Sequence, residues 1–169
     1  MLAALIVSIV ALVPAFFIWS AIHEYSHYFV ASHQRKIVGV EFKIYPHVDP
    51  EAGFRWAAIS WFYPEIPPLN GEQALIFIAP RFPDLLSVLL TPFVWLMPWP
   101  WLGALWLVLM GAGLIDLTVG SIGHNKLSDL KRFCELGNHD IWVWRILGCT
   151  LALVSAGISL TGFIVQFVL

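Results

Sequence analysis

Four stretches of the chain stay apolar long enough to cross a hydrocarbon layer: Leu2 to about Ala31, Ala74 to Met97, Trp101 to about Ile122, and Ile141 to Leu169. A spanning helix needs roughly 20 such residues, so the pattern predicts four membrane-spanning helices. The second stretch is the least regular. Pro80, Pro83 and Pro92 interrupt it, and Arg81 and Asp84 sit near its start, which predicts re-entrant or interfacial first turns. Between the first two stretches, Val38, Val40, Phe42 and Ile44 alternate with Gly39, Glu41, Lys43 and Tyr45, the period of a half-buried strand. A turn-rich interval at 46–53 and an extended stretch from Phe54 to Trp61 complete the signature of a β-hairpin; an irregular amphipathic loop is the competing reading. The expected fold is therefore an all-α membrane protein with about four transmembrane helices and a small cytoplasmic β-hairpin between the first and second. It forms a single domain over 1–169.

Composition supports a bilayer rather than water as the solvent: of 169 residues, 59% are hydrophobic and 12% charged. The net charge is −2 and the basic residues are scattered, so there is no nucleic-acid footprint. Cys134 and Cys149 form no disulfide framework or CxxC spacing. The run from Leu2 to Trp19 lacks a basic leader and continues without a break into polar residues, which predicts a retained helix rather than a cleaved signal.

Orientation follows from Lys and Arg. Arg35, Lys36, Lys43 and Arg55 fall in one connection, and Lys126, Lys131 and Arg132 in another, whereas the Pro98–Pro100 turn has none. Basic connections collect on the cytoplasmic side, so both are expected there, with both termini opposite. Trp95, Trp99 and Trp101 flank the outer turn as interfacial aromatics.

The chemistry concentrates in His23-Glu24-Tyr25-Ser26-His27. Residues four apart share a helix face, so His23 and His27 can offer two imidazole nitrogens to one metal ion. In an HExxH arrangement the glutamate, here Glu24, is the base that takes a proton from water made acidic by zinc. Ionisable groups inside an apolar helix are costly and mark function, although hydrated side chains at a helix end are the bland alternative. At 1.5 Å per residue the motif lies about 33 Å from the outer end of its helix, near the inner edge of the hydrocarbon layer, where water has access.

Catalytic zinc usually takes three protein ligands, and three residues compete for the last place. His33 reproduces the spacing of HExxHxxGxxH peptidases, but Val30 stands where those break the helix with glycine, and a continuous helix turns His33 about 120° off the ligand face. Asp129 lies just past the third span, on the side of the bilayer expected for the motif; helix N-capping by Ser128 or Asp129 is its ordinary alternative. Asp116 lies within the third span, about 23 Å from its outer end. Depth favours Asp129 over Asp116.

HEYSH near the end of a first membrane helix, extended segments after it, Ala79-Pro80 in the next helix and a later aspartate together resemble the site-2 protease class of intramembrane zinc metalloproteases. They also resemble the smaller membrane-bound zincin peptidases related to it. Ser128-Asp129 is similar to a Ser-Asp-Gly form of the later motif, with Leu130 in place of the glycine. The resemblance implies Zn²⁺ held by His23, His27 and Asp129, Glu24 as base, and an extended substrate beside a β-element. The expected function is a zinc metalloendopeptidase cutting a membrane-associated protein or peptide near the cytoplasmic face. A non-catalytic membrane zinc scaffold and a hydrolase of non-peptide amphiphiles remain as alternatives.

Overall fold

In the computed structural model the first apolar stretch forms one continuous helix, α1 (Leu2–Gln34), which runs through Pro14. A proline there removes a single backbone donor, and the long apolar run outlasts that loss. The structure describes residues 2–34, 37, 39–43, 45–49, 53–55, 58–62, 69–123 and 128–169. Arg35, Lys36 and Lys126 of the orientation argument, and Val38 and Ile44 of the strand pattern, lie outside the described residues.

After α1 the chain makes two antiparallel ladders. Strand β1 (Gly39–Lys43) pairs with β4 (Ala58–Phe62) in the register Gly39↔Phe62 to Lys43↔Ala58, and β2 (His47–Asp49) pairs with β3 (Gly53–Arg55). The alternation in the sequence therefore marks a real hairpin. Packing of Phe42 against Tyr28 of α1, ring centroids 5.8 Å apart, ties it to the first helix.

The second apolar stretch is divided. Helix α2 (Asn70–Ile78) begins where Glu72 reaches back to the Leu69 backbone N–H at 2.7 Å, and it ends at Ala79-Pro80. Helix α3 (Arg81–Leu90) and a 3-10 helix (Thr91–Leu96) follow. The break belongs to Pro80, which has no N–H to continue the helical ladder. Helix α4 (Pro100–Ile122) starts with proline at its first position, where the missing donor costs nothing. Helix α5 (Asp129–Gly137) ends on Asn138 in the left-handed region, φ 53°, and Asp140 caps α6 (Ile141–Phe167) by accepting from the Trp142 N–H at 2.8 Å.

Helix α4 is the centre of the bundle, with α1, α3 and α6 against it, while α2 packs on α5. The contacts are made by small residues. Gly148, Ala152, Ser155, Ser159 and Gly162 form the buried stripe of α6. On α4, a Cβ at Gly113 would lie 2.7–2.8 Å from Ser87 and Trp19, so only glycine admits both neighbours. Ser155 donates to the Val88 carbonyl at 2.8 Å and Trp106 to the Leu90 carbonyl at 3.0 Å, adding polar links between helices.

The outside of this bundle is apolar: Leu5, Ile6, Ile9, Val10 and Val13 of α1 and Leu153, Val154 and Leu160 of α6 are exposed. Four helical segments, Leu2–Gln34, Asn70–Leu96, Pro100–Ile122 and Ile141–Phe167, are long and apolar enough to cross a membrane, which suggests a multi-pass membrane protein. The hairpin and α5 lie at one end of the bundle. At the other, Gln166 reaches the Met97 carbonyl at 2.8 Å, and Trp99 stacks on Trp101 at 5.9 Å.

Candidate metal centre

His23 and His27 project from the same face of α1, one helical turn apart, with ring centroids separated by 5.1 Å. Each ring is held by its Nδ1. His23 bonds through Nδ1 to Asp116 Oδ2 of α4 at 2.7 Å, and His27 donates from Nδ1 to the Ile76 carbonyl of α2 at 2.7 Å. A ring that donates from Nδ1 leaves Nε2 as the lone-pair nitrogen, the form that binds metals. Both Nε2 atoms then converge on one carboxylate oxygen, Asp129 Oδ2, at 3.1 Å from His23 and 3.3 Å from His27.

The Ile76 carbonyl is available because of the chain break. Its helical donor would be the N–H of residue 80, and Pro80 has none; the N–H of Ala79 makes only a 3.3 Å contact with it. His27 completes the accounting.

Asp129 is the first residue of α5. Ser128 stands at the N-cap position but makes no side-chain cap bond, and the Asp129 carboxylate is turned to the histidines. In the metal-free site burial pushes that carboxyl up, but hydrogen bonds from the two rings when they also carry a proton on Nε2 outweigh it and hold the group well below the usual carboxylate range, and a bound cation would take the place of those protons. His27, His23 and Asp129 retain side-chain exposures of 8, 16 and 23%, so the cluster is shielded yet reachable by water.

One ligand atom from each of His23, His27 and Asp129 lies within 4.8 Å of the others, a group that could hold a metal ion. Two neutral imidazole nitrogens and a carboxylate, each with a defined orientation, fit a divalent cation with an open fourth position. Asp116 reaches the same histidine from the other ring nitrogen and so orients His23 rather than joining the group. The depth estimate for Asp116 is corrected here. Helix α1 has 33 residues and α4 has 23, so at 1.5 Å per residue their outer ends need not be level, and the apparent 10 Å offset between Asp116 and His23 vanishes. His33 takes no part: α1 is continuous through Val30, and His33 is exposed, donating from Nδ1 to the Phe29 carbonyl at 2.8 Å.

Glu24, half-buried, points toward the hairpin, and its Oε2 accepts from the Ile59 N–H of β4 at 3.4 Å. That N–H faces away from β1, so the outer edge of β4 is the one turned to Glu24. Two residues missed as site components are Arg81 and Asp84. Their charges stood out in an apolar run, but not their destination: Arg81 is 7% and Asp84 1% exposed, paired at 2.6 Å beside Asp116. Comparison of the chain with protein-family models, curated proteins and solved structures finds no match.

Proposed function

We propose that the protein is a membrane-embedded zinc metallopeptidase that hydrolyses peptide bonds of a membrane-associated substrate. The carrying observation is the convergence of His23 Nε2 and His27 Nε2 on Asp129, one residue from a glutamate that reaches the edge of β4 away from β1, an edge on which no other strand pairs among the described residues. His23, His27 and Asp129 would hold Zn²⁺, which when bound would supply the Lewis acidity that makes water a nucleophile near neutral pH. Glu24 takes the proton of the attacking water on a carboxylate oxygen as the oxygen adds to the peptide carbonyl carbon, and returns it to the leaving nitrogen as the C–N bond breaks. The β4 edge lets an extended peptide pair beside Glu24, which places the scissile bond by main-chain hydrogen bonds rather than by side-chain identity. The basic residues of the hairpin and α5, Lys43, Lys131 and Arg132 among them, favour a cytoplasmic position for this end of the bundle.

A second reading draws on a cavity of about 200 Å³ between α1 and α4, lined by Phe16, Trp19, Ile115 and Val119 and reaching Asp116. Such walls suit an acyl chain, and the same water activation then acts on an amphiphile. Purified protein in detergent, loaded with zinc and offered both membrane-anchored peptides and lipid esters, separates the two. Cleavage of peptides by wild type and not by Glu24→Gln supports the peptidase; cleavage of esters alone replaces it with the second reading, and no zinc-dependent hydrolysis of either removes the enzyme.

A further inference from the structure

The Arg81 guanidinium is placed where α3 meets α4 at the level of Asp116. Its Nη1 donates to Asp84 Oδ2 at 2.6 Å and to the Asp116 main-chain carbonyl at 3.2 Å. The Asp84 and Asp116 carboxylates are close enough to sense each other's charge and both face Arg81, and Asp116 in turn holds His23 Nδ1. Helix α4 makes room for this arrangement: a Cβ at Gly120, one turn beyond Asp116, would overlap the Arg81 guanidinium.

Helix packing alone does not account for a buried ion pair at this place. The α3–α4 contact is already made by Ser87 against Gly113, and apolar residues of similar volume commonly replace a buried pair without loss of stability. What the pair does here is hold the Asp116 main-chain carbonyl through Arg81, whose positive charge also faces the Asp116 carboxylate.

We infer that Arg81 and Asp84 are positioning residues that lock Asp116 against His23 and thereby aim His23 Nε2 at the metal. The inference rests on the metal-site reading above. Loss of the lock frees Asp116 to turn away, and His23 then loses the bond that sets its ring and tautomer, an effect that outer partners of metal ligands typically exert at about 10 to 100-fold in affinity.

The test uses the full-length protein in detergent, with zinc affinity read by chelator competition and geometry by the visible absorption of the Co²⁺-loaded form. The double variant Arg81→Met/Asp84→Leu removes both charges together, so neither is left unpaired. It is expected to keep its helical circular dichroism, to bind zinc about 10 to 100-fold more weakly and to show a shifted cobalt band. Adding Asp116→Asn to that variant should change little further, because the two perturbations act through one contact. Gly120→Ala displaces the guanidinium without removing a charge and should weaken zinc in the same direction, and it decides the matter if the double variant does not fold. Wild-type zinc affinity and an unshifted cobalt band in the folded variants, or additive losses with Asp116→Asn, overturn the positioning role while leaving the metal site standing. Absence of zinc binding by wild type itself removes the metal reading and this inference together.

Discussion

His27 donates from Nδ1 to the carbonyl oxygen of Ile76, four residues before Pro80, at 2.7 Å. A side chain of the first helix thus finishes the backbone hydrogen bonding of the second apolar segment, and that segment fixes the ring's tautomer in return. Pro80→Ala restores an N–H that competes for this carbonyl. The expected result is a metal affinity reduced by about tenfold or more with helical content preserved or raised, read by competition titration beside circular dichroism. Unchanged affinity would show that His27 holds its orientation without Ile76.

Ligand and outer-partner variants should separate by magnitude. Asp129→Ala is expected to abolish stoichiometric metal binding. Asp116→Asn, which alters the carboxylate bonded to His23 Nδ1, should weaken binding by roughly 10 to 100-fold, and His33→Ala should leave it untouched. Metal content of purified protein by mass spectrometry, with increasing chelator, orders the three. A His33→Ala loss larger than that of Asp129→Ala would reverse the assignment.

Glu24→Gln keeps shape and removes the proton acceptor. Hydrolysis of a cleaved peptide should fall by about 10² to 10⁴-fold while metal stays bound at the wild-type ratio. Substantial turnover by the glutamine variant excludes Glu24 as the base.

The β4 edge offers a separate handle on substrate. Ile59→Pro deletes the N–H that reaches Glu24 but spares the ladder to β1, because that N–H points outward, where an edge strand tolerates proline. The change should raise KM for peptide substrates more than it lowers kcat, with metal content constant. A fall in kcat at unchanged KM would argue that the edge serves only to steady Glu24.

Much of this was legible in the chain itself. Apolar length marks the four long segments, alternation from Val40 to Phe42 marks the hairpin, and the i, i+4 spacing of His23 and His27 marks the shared face. Val30 correctly argues that α1 continues and carries His33 away. The position of Asp129 just past the third apolar segment marks it as lying at the same end of the bundle as the histidines. The rest was hidden for definite reasons. The role of Asp116 depends on how far one helix end stands beyond another, which no single-helix count contains. Ile76 contributes a carbonyl, so its apolar side chain carries no signal; the only clue is a proline four residues later. Arg81 and Asp84 announce a cost in an apolar run, whereas their partners on α4 are set by helix packing.

Asp129 follows His23 by 106 positions, and α2, α3 and α4 are made in between. During synthesis the two histidines emerge well before their carboxylate and wait for it while those three helices are made. The donor set therefore closes only when α5, packed on α2, brings the Asp129 side chain to the histidines. A nascent chain stalled before Ser128 carries HEYSH without its carboxylate, so the group that could hold a metal ion is complete only after α4 has been made and while α6 is still to come.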